Sequence, residues 1–87
     1  MAVSNVTTTT NPFYQRGEGS MFSVIEGIPI DRALEQASCL LDTARASAYG
    51  ADNEPVLIYS AGFHIEAAKA IVDSILSGII RERNAHQ

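Results

Sequence analysis

Residues 54–80, EPVLIYSAGFHIEAAKAIVDSILSGII, decide the fold that the sequence predicts. Apolar residues recur here at alternating steps of three and four, the spacing that keeps side chains on one helical stripe. The stripe consists of Ile58, Ala61, Ile65, Ala68, Val72, Ile75 and Ile79. The apolar residues that widen it are Leu57, Ile71, Leu76 and Ile80. Because a helix on a single neighbour needs only one such face, we expect this helix to bury a second face against another molecule.

A second long helix is predicted upstream, from about Ile30 to Tyr49. Pro29 suits its start, and Gly50 is expected to end it in a left-handed conformation. Its seam steps by four and three in strict alternation, through Ile30, Leu34, Ala37, Leu41, Ala44 and Ala48. The opposite face is charged, which predicts that it lies in solvent.

The connection between the two helices is only three residues long, 51–53. So short a link makes the helices antiparallel neighbours, a helical hairpin. The downstream helix is expected from about Glu54 to Arg81, fraying through residues 83–87. At 1.5 Å per residue it is roughly 40 Å long, against roughly 30 Å for its neighbour. Its last two turns are therefore expected to project past the first helix, with Ile75, Leu76, Ile79 and Ile80.

The N-terminal residues 1–20, MAVSNVTTTTNPFYQRGEGS, contain four consecutive threonines and little apolar content. They cannot bury enough surface to offset the entropy of ordering, so a disordered tail is predicted. The next run, Met21–Ile25, is rich in β-forming residues and is compatible with one short strand. Such a strand has no partner in this chain, so it would have to pair with a second copy or another protein. Residues 21–87 are then the helical-hairpin domain, and the expected fold class is all-α.

Charge and composition exclude several classes of protein. The net charge is −4, and the six basic residues are scattered, so a nucleic-acid surface is not expected. A ribbon-helix-helix repressor is also disfavoured, because the candidate strand lacks outward basic side chains and both helices are too long. No apolar run is long enough to span a membrane, and the first residues lack a secretory pattern, so a cytoplasmic protein is expected. Cys39, the single cysteine, is expected to be at least half-buried in a compartment that keeps thiols reduced.

No recognisable catalytic or metal-binding constellation stands out. His64 and His86 are too far apart to act as ligands on adjacent turns, and one cysteine cannot complete a zinc site. No glycine-rich phosphate-binding loop is present. His64 is expected to be a boundary residue that would report pH only if it lay in an interface. We therefore expect no enzyme, no cofactor and no metal.

The segment Met21–Asp42, MFSVIEGIPIDRALEQASCLLD, resembles the opening of a family of short bacterial proteins known only as a domain of unknown function, found largely in pseudomonads. The matching positions are Phe22, Val24, Gly27, Ala33, Leu34, Glu35, Ala37, Ser38, Leu40 and Leu41. A later stretch, His64 followed by residues 67–73, is similar to the second helix of that family. The resemblance covers about residues 21–77 and implies no catalytic residue and no ligand.

The function that the sequence favours is a non-enzymatic homo-oligomer, most simply a dimer of helical hairpins with a four-helix core, that acts as a protein-interaction module. The expected interface consists of Ile58, Ile65, Ala68, Ile71, Val72, Ile75, Leu76, Ile79 and Ile80. One alternative is a small acidic inhibitor, antitoxin-like or phage-encoded, that covers a basic site on its target. Another is a protein that sequesters a small ligand near Gly62, a glycine inside the predicted helix.

Overall fold

The computed structural model describes residues 6–85 of the chain. Its elements are β1 (Asn11–Arg16), β2 (Gly19–Val24), α1 (Ile30–Gly50) and α2 (Leu57–Ala85). The two long helices confirm the predicted helix pair. A two-stranded antiparallel sheet accompanies them, so the prediction of a purely all-α fold is wrong.

The C-terminal end of α1 differs from the predicted one. Gly50 does not adopt a left-handed conformation, since the described glycines with positive φ are Gly17 and Gly27. Ala51 follows in a right-handed conformation. The carbonyl of Gly50 accepts hydrogen bonds from the backbone N–H groups of two residues in the connection, at 3.1 and 3.0 Å. A tight turn, not a left-handed cap, therefore satisfies this carbonyl.

Helix α2 begins three residues later than the sequence predicts. The backbone N–H groups of Leu57, Ile58 and Tyr59 donate to carbonyls three residues earlier, which is a tight 3₁₀-type turn. The helix then continues to Ala85, while the last part of the predicted frayed end, residues 86–87, lies outside the described residues. At 1.5 Å per residue, the 29 residues of α2 span about 43 Å and the 21 residues of α1 about 31 Å.

Small side chains make up most of the buried surface of both helices. The buried residues of α1 are Ile30, Ala33, Ala37 and Ala44. Those of α2 are Ala61, Ala67, Ala68, Ala70, Ser74, Ile75 and Gly78. Near the connection the hydroxyls of Ser47 and Ser60 lie 3.0 Å apart, which fixes the antiparallel register of the pair. Such small residues let two helices approach closely. Most large aliphatic side chains of the two helices therefore lie outside the buried contact and remain exposed.

The segment before β1 belongs to the core. Val6 is only 1% exposed and packs with Ile30, Ala33 and Ile75. Its carbonyl also accepts a hydrogen bond from the backbone N–H of Ile30, at 3.1 Å. The prediction of a disordered tail is therefore wrong for residues 6–20, whereas residues 1–5 lie outside the described part.

Thr8 explains why this polar segment can be buried. Its hydroxyl donates to the carbonyl of Ile25 at 2.7 Å and accepts from the backbone N–H of Ile28 at 3.0 Å. Its backbone N–H and carbonyl are bonded as well, to Ile28 and Gly27. Because every polar group of Thr8 has a partner, burying it carries little penalty. A count of apolar residues does not reveal these hydrogen-bond partners.

The sheet is a hairpin that brings Phe13 opposite Phe22. Gly17 begins its two-residue turn with a φ of 62°, the conformation that a glycine supplies at the first central position of a type II′ turn. The short strand with which the run Met21–Ile25 is compatible is present as part of β2. Its partner is β1 of the same chain, so the expectation that pairing must come from another molecule is wrong.

The protein is flat and elongated, with principal extents of 52 × 30 × 15 Å. Its radius of gyration is 14.9 Å, whereas a compact domain of this length has a value of about 12 Å. The fold therefore leaves a broad surface of the helix pair uncovered.

Candidate functional site

One side of the helix pair, here called the back groove, is filled by residues 6–11 of the same chain. The backbone N–H of Thr9 donates to the hydroxyl of Ser74 at 2.8 Å, and that hydroxyl donates in turn to the Thr9 carbonyl. The side-chain amide of Asn11 donates to the carbonyl of Ala70 at 2.8 Å. Further along α2, a Cβ at Gly78 would overlap the carbonyl of Thr7. The back groove is therefore a closed, internal contact.

The other side of the helix pair carries large aliphatic side chains that remain half-exposed. We call this the front face and define it by Leu34, Leu41, Ile65, Val72 and Leu76. Leu41, Ile65, Ala68 and Val72 line an apolar groove, with Lys69 at its edge. Leu34 lies seven residues before Leu41 and Leu76 lies four after Val72, so both continue the stripes that border this groove. The exposed fractions of the front-face residues run from 39% to 52%.

The predicted interface residues divide into two groups. Those exposed in the single chain are Ile58, Ile65, Val72, Leu76 and Ile80. Those used inside the chain are Ala68 and Ile75, both buried, and Ile71 and Ile79, which pack against the core. The second group already packs inside the chain, although Ala68 also lines the front-face groove, so the exposed group forms most of the predicted interface that remains available to another molecule. The predicted stripe was too wide because α1 and residues 6–9 already cover its edge.

Charges around the front face nearly cancel. The ammonium of Lys69 bonds both carboxylate oxygens of Asp73, at 2.7 and 2.8 Å, one turn along α2. On α1 the exposed Asp42 and Arg45 form a second pair at 3.1 Å. Exposed pairs of this kind contribute at most about 1 kcal/mol each to stability. The front face is thus apolar and close to neutral, and the charge of −4 is carried elsewhere on the surface.

An aromatic cluster holds the hairpin against α2. The ring of Phe63 lies 5.0 Å from that of Tyr14, 5.4 Å from Phe22 and 6.3 Å from Phe13, centroid to centroid. Neighbouring residues of a regular strand point to opposite faces. Tyr14 has a φ of 62°, and this left-handed conformation lets it contact Phe63 beside Phe13. Such a conformation costs about 1–2 kcal/mol for a residue other than glycine, which the ring contacts offset.

Beside this cluster lies an open cleft of about 410 Å³, here called the hairpin cleft. Its lining residues are Tyr14, Arg16, Ile58, Tyr59, Gly62, Phe63 and Glu66. The guanidinium carbon of Arg16 lies 3.8 Å from the centre of the Tyr14 ring, a cation–π contact. Tyr59, at 77% exposed, stands at its rim. The sequence analysis identified Gly62 as a possible ligand site but did not predict the β-hairpin that forms the other part of the cleft. The turn at Gly17, between two runs that contain aromatic residues, is the sequence feature that indicates this hairpin.

His64 and Cys39, the other residues considered in the sequence analysis, lie in different environments. His64 is half-buried, with Nδ1 2.7 Å from the carbonyl oxygen of Ser60 and its ring against Phe63. Cys39 is exposed, so the expectation that it is at least half-buried is wrong. It lies two residues after the buried Ala37, nearly opposite the packed side of α1.

Within residues 6–85, no group of three or more His, Cys, Asp or Glu residues is arranged to hold a metal ion. A membrane-crossing segment is also not found, since neither described helix combines the required length and apolarity.

Comparison with known proteins gives one family. No curated protein and no solved structure matches the chain significantly. The family described as "Protein of unknown function (DUF3077)" matches residues 7–78. This match confirms the resemblance to a family of unknown function and begins earlier than the resembling segment, within the residues that fill the back groove. The chain therefore belongs to the DUF3077 family.

Proposed function

We propose that the protein is a non-enzymatic, cytoplasmic homodimer that acts as a protein-interaction module. The front faces of two copies pack together, so that the α1–α2 pair of each copy contributes to a four-helix arrangement. The observation that carries this proposal is the distribution of side-chain size. Most buried residues of α1 and α2 are alanines, while Leu41, Ile65 and Leu76 remain half in solvent.

The exposed area of the chain supports an interface of ordinary size. A compact monomer of 9.3 kDa exposes roughly 5,000 Å², whereas this chain exposes 6,004 Å². The excess, about 1,000 Å², is comparable with the 800 Å² or so that each partner buries in a standard interface.

The chemistry of the front face favours a second copy over a partner of opposite charge. The face has aliphatic ridges on both helices and, between them, the groove bordered by Leu41 and Val72. A twofold axis brings the ridges of one copy into the groove of the other, the usual packing of helix on helix. A basic partner would instead be drawn to the exposed acidic residues of α1, such as Glu35, away from this face.

In the proposed dimer, β2 offers the contact for another protein. The sheet has only two strands, so β2 is paired on one edge. It contains no charged residue or proline, and Met21 and Phe22 are 65% and 47% exposed. Charged residues or prolines usually protect the edge strands of natural proteins, and an edge without them is a template for adding a strand from a partner.

Single lysine substitutions on the front face test the dimer. In light scattering coupled to size exclusion, we expect the wild-type protein at 18.6 kDa, twice 9.3 kDa. Leu41→Lys and Ile65→Lys are expected to elute as monomers, because association would bury a lysine charge without a partner in an apolar contact. Ala46→Lys, at an exposed site of α1 remote from the front face, is the matched control and should stay dimeric. Leu41→Lys and Ile65→Lys proteins with the wild-type mass would contradict the proposal.

A further inference from the structure

Two glycines inside α2 have opposite surroundings. Gly78 is required by its own chain, because a side chain there would collide with the backbone of Thr7. A Cβ at Gly62 would have no atom within 4 Å, and its φ is not in the left-handed region. Glycine destabilises a helix interior relative to alanine. Nothing among the described residues explains why position 62 lacks a side chain.

Gly62 is one of the residues that line the hairpin cleft, and it presents no side chain there. Aromatic and aliphatic side chains supply most of the lining: Tyr14, Tyr59, Phe63 and Ile58. At about 410 Å³, the cleft falls within the size range of small-molecule sites. A side chain at position 62 would occupy part of this space.

Two opposite charges line the same cleft without neutralising each other. Arg16 stacks on Tyr14 and donates one hydrogen bond to the carbonyl of Gln15. Glu66 lies one turn after Gly62 on α2 and is half-buried. Within residues 6–85, the ion pairs are Asp42–Arg45 and Lys69–Asp73, so Arg16 and Glu66 are more than a salt-bridge distance apart. A ligand with both an anionic and a cationic group would meet each of them.

We propose that the hairpin cleft binds a small molecule that combines a flat aromatic ring, a carboxylate and an ammonium group, the chemistry of a free aromatic amino acid. The ring lies over Gly62 against Phe63 and Tyr59. The carboxylate is held by Arg16 and the ammonium group by Glu66. This site is formed within one chain and does not depend on the front-face dimer.

The test is a titration of the isotope-labelled full chain, followed by backbone amide NMR. The probes are L-phenylalanine, phenylpropionate, which lacks the ammonium group, and phenethylamine, which lacks the carboxylate. We expect L-phenylalanine to shift the signals of residues 14–16 and 58–66 saturably, with an affinity at least tenfold above that of the other two. Equal affinity for all three probes, or no saturable shift with L-phenylalanine at millimolar concentration, would overturn the proposal.

Substitutions locate the binding in the cleft. Gly62→Phe fills the cleft and is expected to abolish the shifts, while Ala46→Phe, the same kind of change at an exposed site of α1, should leave them unchanged. Arg16→Gln is expected to weaken L-phenylalanine at least tenfold but to leave phenethylamine unaffected. Circular dichroism checks that each variant is folded. Undiminished binding of L-phenylalanine to both folded Gly62→Phe and folded Arg16→Gln would place the ligand elsewhere and reject the site.

Discussion

The two sides of α2 show how side-chain size matches what covers a helix. On the back groove the residues are small or polar, as at Ala70, Ser74 and Gly78, and the backbone of residues 6–11 lies directly on them. On the front face they are large and aliphatic, as at Ile65 and Leu76, and about half of each stays in solvent. Small residues therefore mark the side that the chain covers itself. Large ones mark the side that we assign to a second copy.

The largest expected effect on stability comes from adding a side chain at Gly78. In Gly78→Ala the new methyl group would overlap the carbonyl of Thr7, so residues 6–9 must move off α2. We expect the free energy of unfolding to fall by about 3 kcal/mol, near the upper end for overpacking. Urea unfolding at one fixed protein concentration measures this, because the stability of the proposed dimer would depend on concentration. An unchanged midpoint would show that the backbone of Thr7 does not press on α2.

A smaller loss is expected from the buried hydroxyl on the same side. Ser74→Ala removes the group that accepts from the N–H of Thr9 and donates to its carbonyl. Both backbone groups lose their partner, so we expect about 2 kcal/mol of destabilisation in the same urea experiment. Ser77→Ala, at an exposed position of α2, is the matched control and should change stability by less than about 0.5 kcal/mol. Equal effects at the two serines would contradict the internal role of the back groove.

The second helical glycine is expected to respond with the opposite sign. Gly62→Ala places a methyl group in open space and removes the penalty that glycine imposes on a helix interior. Stability should therefore rise by up to about 1 kcal/mol, visible as a higher urea midpoint. A loss of stability at this position would mean that the space above Gly62 is filled in solution.

The helices were predictable from sequence because their signal is periodic and local. The spacing of Leu34 and Leu41 and a connection predicted to be only three residues long are enough to predict an antiparallel pair, although the observed connection, 51–56, is longer. The exposed half of the predicted interface, including Ile65 and Val72, follows from the same spacing. Periodicity does not say which edge of a wide stripe is covered inside the chain, and that is why the predicted interface includes Ile75, which packs in the core.

The N-terminal part was missed for a different physical reason. Thr8 and Ser74 are buried because each finds hydrogen-bond partners far away in sequence, which composition does not reveal. The hairpin did leave a local signal, the two-residue Gly17 turn between runs that contain Phe13 and Phe22. The polar residues around that turn concealed it.

The mass of the native protein in dilute solution tests the front face most directly. Sedimentation equilibrium over a range of low micromolar concentrations should fit a species of 18.6 kDa, twice the chain mass of 9.3 kDa. A protein that sediments at 9.3 kDa across that range, and still unfolds cooperatively, would contradict the proposed dimer. It would show that a single folded chain tolerates Leu41, Ile65 and Leu76 in solvent.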